Sequence, residues 1–474
     1  MGPHPREHVA CRPVPRTRPA ASTRRDVARG IAIGVLLLTA CGPNATAREG
    51  ATAATITGGS STAATGPSTS SESGTKPAAK PSTSGRTASS LTGAIADPTA
   101  ATTAAPPAVA TISGMPPVVD SRNLYSQAGA NMMSPAVEGA KQYVYVPSDA
   151  DGSVTVIDQA TFKVIDSFPT GGRLVQHVVP SYDMKTLYAN VSGGNKLREI
   201  DPMTGKPGKS IAVEAPYNLY FTPDGTRAIV MAERVNHMDF YDLPSWKKIK
   251  SINVPCTSQN PQISFGGVNH ADWSIDGRYF LATCEFAGDM IKVDTATMEV
   301  IGQVHLKDGA MPQDVRITPD GKKFYVADMM NGGVWILDGD SMTVTGHIDT
   351  GKGAHGLYPS RDGSVFYVAN RGRLMGDTSR RSVDGEGSVS VIDWRTDKVT
   401  VTWPIPGGGS PDMGGVSADG STLWLSGRYD SEVYAIDTSN GALRARIRVA
   451  HEPHGLAVFP QPGRYSLGHT GNTR

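Results

Sequence analysis

The stretch that decides the fold is Asp314-Val-Arg-Ile-Thr-Pro-Asp320-Gly-Lys-Lys-Phe-Tyr-Val-Ala-Asp328. Alternating apolar residues on both sides of Pro-Asp-Gly predict two strands, and Pro-Asp-Gly itself is typical of a tight turn. A third strand with a terminal aspartate follows at residues 332–338, and a fourth follows at residues 343–349. Four short strands in a unit of roughly 40–45 residues are typical of one blade of a β-propeller.

This four-stranded unit occurs seven times in the chain. The third strand of each copy ends in an aspartate, and the steps between successive copies are 41 to 55 residues. These aspartates are Asp158, Asp201, Asp242, Asp294, Asp338, Asp393 and Asp437. An aspartate at a strand end starts a turn by accepting hydrogen bonds from the backbone ahead of it. We therefore interpret all seven as structural residues and predict an all-β, seven-bladed propeller.

The two ends of the repeat region predict how the ring closes. The first unit has only three strands, between residues 143 and 168, and the C-terminus supplies an orphan strand at residues 454–459. We expect this strand to complete the first blade, because closure removes the open edges that favour aggregation. The predicted organisation is a signal at 1–40, a linker at 41–118, the propeller at 119–464 and a C-terminal tail at 465–474.

The N-terminus predicts an export signal of the lipoprotein type. A basic, proline-rich start precedes an apolar run at residues 31–40, which is about half the length that crosses a bilayer as a helix. Leu38-Thr-Ala-Cys41 resembles the bacterial lipobox, which predicts lipidation of Cys41, a membrane anchor and an extracytoplasmic location. An uncleaved anchor or ordinary export is the alternative. Thr23-Arg-Arg-Asp-Val27 resembles a twin-arginine signal, so both export routes stay open.

Composition limits the role of the next segment and the range of partners. Between residues 51 and 110, 51 of 60 positions are Ala, Thr, Ser, Gly or Pro. Such a segment buries too little apolar surface to become ordered, so we predict a disordered tether. The chain has 45 basic and 44 acidic residues, which gives no electrostatic reason to expect nucleic acid as a partner. We expect a monomer that binds an unidentified protein or small molecule.

Alignment of the inner strands on their turns places two columns of polar residues at one mouth of the channel. The columns contain His177, His270, Asp314, His355, Asp412 and His454. Imidazole and carboxylate groups together suit Zn, Cu or Fe, so a transition metal is the cofactor that the pattern favours. The best trio is His355, Asp412 and His454, which come from three consecutive blades, and His270 with Asp314 forms a second adjacent pair.

Other interpretations of these columns remain open. Imidazoles at a wet channel mouth can simply satisfy backbone groups, and a sugar or peptide could bind there. A seven-fold ring is also expected to spread its residues too widely for all six to bind one ion. His305, His347 and His451 lie on outer strands or before the last strand, and we predict that they are surface residues.

Two long insertions fall on the same face as the histidine columns. They occupy residues 256–268 and 371–386, which explains the two longest repeat steps. Long loops in a regular repeat are often functional, so we predict a ligand face with Arg371 and Arg428 as further mouth residues. Cys256 and Cys284 are an even pair in an exported protein, which predicts a disulfide. A reactive cysteine or a metal-thiolate pair is the alternative.

Phe324-Tyr-Val-Ala-Asp, Phe366-Tyr-Val-Ala-Asn and Ser388-Val-Ser-Val-Ile-Asp resemble the repeats of YVTN-type (YncE-like) β-propeller proteins. Residues 460–469 are similar to the end of an exported actinobacterial branch of them. The resemblance covers residues 120–474 and implies the fold. It implies little about function, because propellers of this type serve as binding surfaces, lactonases, haem domains and copper-site scaffolds.

Three functions are compatible with these observations. The first is a cell-surface lipoprotein that binds a ligand or partner without catalysis, through the channel-mouth face. The alternative is a metal- or haem-binding redox accessory protein that resembles the propellers of nitrite and nitrous oxide reductases, although the sequence has no Cys-x-x-Cys-His motif. The third is a lactonase-type hydrolase, with His355, Asp412 and Arg428 as candidate residues.

Overall fold

The computed structural model describes residues 105–372 and 386–474. Within these residues, 28 strands form seven antiparallel sheets of four strands each. The first strands of neighbouring sheets contact each other around a central channel. This arrangement confirms the predicted seven-bladed propeller. The described residues contain no helix with the length and hydrophobicity that a membrane span needs.

The strands follow the predicted repeat closely. Blade 1 contains β1 (Tyr143–Ser148), β2 (Ser153–Asp158), β3 (Lys163–Pro169) and the C-terminal β28 (Ala457–Phe459). Blade 2 contains β4 (Val175–Pro180), β5 (Leu187–Val191), β6 (Lys196–Asp201) and β7 (Lys206–Ala212). Blade 3 contains β8 (Asn218–Phe221), β9 (Arg227–Ala232), β10 (His237–Asp242) and β11 (Lys247–Asn253). Blade 4 contains β12 (Val268–Trp273), β13 (Tyr279–Cys284), β14 (Asp289–Asp294) and β15 (Glu299–His305).

The remaining three blades have the same order. Blade 5 contains β16 (Pro312–Ile317), β17 (Phe324–Asp328), β18 (Val334–Asp338) and β19 (Thr343–Ile348). Blade 6 contains β20 (Ala354–Pro359), β21 (Val365–Asn370), β22 (Ser388–Asp393) and β23 (Lys398–Pro404). Blade 7 contains β24 (Pro411–Val416), β25 (Thr422–Gly427), β26 (Glu432–Asp437) and β27 (Leu443–Arg448). Single 3-10 turns lie at Pro135–Val137, Ser192–Gly194 and Glu233–Val235.

The ring closes as predicted, through the C-terminal strand. β28 pairs antiparallel with β1, with Tyr143 opposite Phe459 and Tyr145 opposite Ala457. The core consists of seven apolar clusters, and each lies between two neighbouring blades. The cluster between blades 7 and 1 includes Trp424 and Val458. Closure therefore buries apolar surface on both sides of blade 1.

The turns confirm the structural role of the repeated aspartates. Asp338 Oδ1 accepts a hydrogen bond from the Ser341 backbone N–H at 2.8 Å, and Asp158 Oδ1 does the same for Thr161 at 2.8 Å. The Pro-Asp-Gly turns also require glycine at their last position, because of its backbone conformation and the lack of space for a side chain. Gly321 has φ +70°, and a Cβ there would lie 2.6 Å from the Ile275 side chain of the preceding blade. These turns therefore link neighbouring blades.

Both ends of the described chain pack on the face that carries the turns between first and second strands, which we call the turn face. The Ile112 N–H donates to the Asp276 carbonyl at 3.0 Å, and the Leu124 N–H donates to the Pro319 carbonyl at 2.6 Å. Met115 is buried. Residues 112–118, which the sequence analysis placed in a disordered linker, therefore lie against the propeller, because their few apolar side chains find partners there. The opposite face, with the connections between blades, is the mouth face.

Candidate metal centre

The predicted channel residues lie where the inner strands depart from regular pairing. In β4 the register shifts between Val175 and Val178, and the residues in between are Gln176 and His177. The strands β12, β16, β20 and β24 have the same irregularity at the equivalent positions. A β-bulge redirects side chains locally, so the repeated bulge lets both predicted columns contribute to the channel lining.

All six predicted column residues are buried, with 0–2% of their surface exposed. They are His177, His270, Asp314, His355, Asp412 and His454. These side chains therefore lie inside the protein and not at an open, solvent-filled mouth. The physical reason is that the C-terminal residues fill the channel.

The segment that fills the channel is the predicted tail, residues 465–474. Gly468 forms an isolated antiparallel β-bridge with Tyr220, and the His469 N–H donates to the Leu219 carbonyl at 3.0 Å. Arg474 Nη2 donates to Asp272 Oδ1 at 2.7 Å. The segment is thus inserted between the inner strands from the turn face, and it carries a histidine that the sequence analysis missed. Tyr465 and Leu467, alternating in an otherwise polar end, are the only signal that could have indicated an extended, buried segment.

Five histidines and one aspartate form a single group, which we call the hub cluster. Its members are His177, His270, His355, Asp412, His454 and His469. They divide into two triads, and within each triad three potential ligand atoms lie within 4.8 Å of one another. The all-histidine triad contains His177, His270 and His469, and the carboxylate triad contains His355, Asp412 and His454. The rings of His177 and His454, one from each triad, have centroids 4.8 Å apart.

The carboxylate triad is the predicted metal trio, and the structure brings its three members together. Arg371 lies against it: Nε and Nη2 donate to Asp412 Oδ1 at 3.0 and 2.8 Å, and Nη2 lies 2.8 Å from His355 Nε2. His454 Nε2 lies 3.8 Å from Asp412 Oδ2, and Nδ1 of the same ring contacts Gln176 Oε1 at 2.9 Å. The predicted mouth residue Arg371 is therefore part of the hub.

The all-histidine triad is oriented by neutral groups. His177 Nδ1 donates to the Tyr217 carbonyl at 3.0 Å, and its Nε2 has no hydrogen-bond partner in the part of the chain that the structure describes. His270 Nδ1 and His469 Nε2 face each other at 3.0 Å. Asp314, which the sequence analysis paired with His270, lies beside His469, with 3.4 Å between Oδ1 and Nε2.

Burial keeps the imidazoles of the hub neutral. It lowers the pKa of His177 to about 3 and that of His355 to about 4, and the pKa values of His270, His454 and His469 lie well below the ordinary value for the same reason. Burial opposes ionisation of Asp412, but the positive charge of Arg371 outweighs it and holds the pKa of this carboxyl well below its usual range. Neutral imidazole and ionised carboxylate are the forms that bind metal ions.

The remaining mouth residues form a charged rim above the hub cluster. Arg428 is partly exposed, and its Nη2 donates to Asp149 Oδ2 at 2.6 Å. Glu285 Oε2 accepts a hydrogen bond from Asn269 Nδ2 at 2.7 Å, and burial raises the pKa of Glu285 to about 7. Arg428 therefore pairs with Asp149 at the rim.

The mouth face also carries the predicted disulfide. Cys256 and Cys284 are bonded, with 6.1 Å between their Cα atoms, and both are buried. The bond fixes the first insertion to the end of β13, and it excludes a reactive cysteine or a thiolate pair at these positions. His305, His347 and His451 are exposed, as predicted. Only the ends of the second insertion are described, and Cys41 with the predicted signal lies outside the described residues.

Replacement of both cysteines by alanine should lower the free energy of unfolding by about 2–4 kcal/mol, because the bond closes a loop whose ends are 28 residues apart. Guanidinium chloride unfolding measures this difference. The unaltered protein in reductant should match the double variant, whereas equal stability of all three samples would contradict a structural role for the bond.

The comparisons with known proteins concern the fold. A family model described as YNCE-like beta-propeller matches residues 104–464. Among curated proteins, none matches the chain. A protein of unknown function from Desulfotomaculum acetoxidans is similar in structure, with 17% identity, a TM-score of 0.53 and coverage of 67% of this chain and 99% of that one.

Two further solved structures are similar at the same level. A candidate 6-phosphogluconolactonase from Bacteroides uniformis has 16% identity and a TM-score of 0.50, covering 66% of this chain and 98% of that one. Hydrazine synthase of Kuenenia stuttgartiensis has 20% identity and a TM-score of 0.48, and the match covers 59% of this chain and 88% of that one. The two structures with TM-scores of 0.50 or more support a common fold, and identities this low assign no activity.

Proposed function

Because the chain belongs to the YncE-like β-propeller family and surrounds a histidine cluster with its inner strands, we propose that it is a transition-metal-binding propeller. The metal lies in the hub cluster. The observation that carries this proposal is the convergence of five buried, neutral imidazoles and one ionised carboxylate in one group. Imidazole is the commonest protein ligand for Zn, Cu, Fe and Ni.

The size of the hub argues for a bare ion. Ring centroids of neighbouring histidines lie 4.8 to 6.1 Å apart, so the rings are in contact. A metal ion bound at about 2.0–2.1 Å from each nitrogen fits between such rings after small side-chain rotations. A tetrapyrrole, a sugar or a peptide does not fit between rings in contact. The metal-binding alternative of the sequence analysis therefore has better support than its haem-binding form or a large organic ligand.

Location and partners stay predictions from the sequence. We propose a lipid anchor at Cys41 and an extracytoplasmic propeller, with the mouth face, its disulfide-linked insertion and its charged rim open to a partner. Cys41→Ala is expected to move the protein from the membrane fraction to the medium. A variant that remains in the membrane fraction would contradict the anchor.

Elemental analysis tests the metal proposal directly. The full-length chain, purified in detergent without added metal or chelator, should contain Cu, Zn, Fe or Ni in near-stoichiometric amount. His177→Ala should lose most of it, because this residue offers an unpartnered Nε2 to the hub. His451→Ala, which changes an exposed histidine, is the matched control and should keep the metal. A metal-free protein that also fails to take up added Cu(II) or Zn(II) would overturn the proposal.

A further inference from the structure

The two triads of the hub cluster are not equivalent, because one of them already holds a cation. Arg371 is 5% exposed, and its guanidinium donates two hydrogen bonds to Asp412 Oδ1. The same group lies 2.8 Å from His355 Nε2. A metal ion in the carboxylate triad would meet this buried positive charge at close range. It would compete with the guanidinium for Asp412 Oδ1 and His355 Nε2, and only Asp412 Oδ2 is without a hydrogen-bond partner among the atoms of this carboxylate in the described residues.

In the all-histidine triad, no guanidinium or ammonium group is hydrogen-bonded to a ring among the described residues. Nε2 of His177 is buried without a partner. Its Nδ1–H is held by the Tyr217 carbonyl, which fixes the tautomer with a lone pair on Nε2. Metal-ligating histidines in proteins characteristically donate their second N–H to such an acceptor.

The other two rings of this triad face each other. The Thr470 backbone N–H donates to His469 Nδ1 at 2.5 Å, so Nδ1 carries the lone pair and Nε2 carries the proton in the metal-free protein. That Nε2 faces His270 Nδ1 at 3.0 Å. Two ring nitrogens at this separation attract each other only when a proton or a metal ion lies between them, so a metal ion would take the place of this proton. The three rings offer ligand atoms within 4.8 Å of one another. His177 and His270 belong to blades 2 and 4, and His469 belongs to the C-terminal segment.

We propose that the metal of the hub occupies the all-histidine triad, with His469 of the C-terminal segment as its third protein ligand, and that copper binds there more tightly than zinc. This inference rests on the proposed function and specifies its site. A site of three imidazoles without a thiolate is expected to follow the general affinity order of divalent metals, in which Cu(II) binds more tightly than Zn(II). Three protein ligands also leave one coordination position for an exogenous ligand.

Titration of the metal-free full-length chain with Cu(II), and separately with Zn(II), tests the assignment. His469→Gln should weaken copper binding by about tenfold or more, since losses of this size follow even from changes to groups that only orient a ligand. His451→Gln, which changes an exposed histidine outside the hub cluster, is the matched control and should change the affinity less than about threefold. The melting temperature of each metal-free variant should stay close to that of the unaltered protein, which checks that the C-terminal segment still packs.

A second variant keeps the test valid if His469→Gln disturbs packing. His469→Cys replaces the nitrogen donor by a thiolate, and its Co(II) complex should show a sulfur-to-metal charge-transfer band that the unaltered protein lacks. A variant without this band, together with metal loss on His454→Gln or His355→Gln, would overturn the assignment and leave the metal-binding proposal standing. An unaltered protein that binds neither Cu(II) nor Zn(II) would overturn both.

Discussion

A chain that ends at Gly455 should show no cooperative unfolding transition, because it lacks the strand that closes the ring. This truncation removes β28 with Leu456, Val458 and Phe459, which are all fully buried. Full burial of such side chains stabilises a fold by about 1.5–3 kcal/mol each, so their loss costs about 5–9 kcal/mol. The total stability of a domain is about 5–15 kcal/mol, and the truncation also exposes an open edge of β1 to aggregation.

A second truncation separates closure from channel filling. A chain that ends at Arg464 keeps β28 but loses the segment that occupies the channel. It should retain the β-sheet spectrum and a cooperative thermal transition at a lower temperature, because Tyr465 and Leu467 no longer pack between blades 3 and 4. Circular dichroism with thermal melting distinguishes the two chains. If the chain ending at Gly455 melted like the full-length protein, the closing role of β28 would be refuted.

The blades were predictable because their signals are local. Each unit has its own strand periodicity, its own turn and its own terminal aspartate. Each of the seven copies therefore predicts a blade independently of the others. The closing strand was also predictable, since an incomplete first unit and an orphan last strand can only pair with each other in a ring. The inner-strand histidines followed from alignment alone, because equivalent positions in a repeat occupy equivalent places.

The rest of the hub cluster depends on contacts that produce no repeating pattern in the sequence. His469 and His270 are 199 residues apart, and the segment that carries His469 belongs to no repeat. Arg371 was placed at the mouth from its insertion, but its contact with Asp412 depends on the direction of a single long side chain. Burial of the six column residues is likewise a consequence of the inserted segment, which the sequence represented as a tail.

Acidification from pH 7 to pH 4.5 should weaken the contribution of the hub histidines to the free energy of unfolding of the metal-free protein. Burial gives His177 a pKa of about 3 and His355 a pKa of about 4, whereas an unfolded histidine titrates near 6.5. The unfolded state therefore binds more protons over this range, and stability falls as the pH drops through 6.5 towards the folded pKa values. Each of these two histidines contributes a loss of about 2.5 kcal/mol at pH 4.5.

Three buried carboxyls oppose this loss. Burial raises the pKa of Asp314 to about 6, that of Glu285 to about 7 and that of Glu233 well above its ordinary value, so all three bind more protons in the folded state than in the unfolded state over this range. His270, His454 and His469 have pKa values shifted in the same direction as His177, so they add to the loss. A single-histidine variant separates the contribution of the histidines from that of the carboxyls.

Urea unfolding at a series of pH values measures this balance, with His177→Asn as the informative variant and the exposed His451→Asn as its control. The first should reduce the fall in stability by about 2.5 kcal/mol, because it removes one histidine whose folded and unfolded pKa values differ. The control should leave the curve unchanged. Bound metal should steepen the acid loss, since protons compete with it for the same nitrogens. If His177→Asn left the fall in stability unchanged, the imidazole of His177 would not be held neutral by burial.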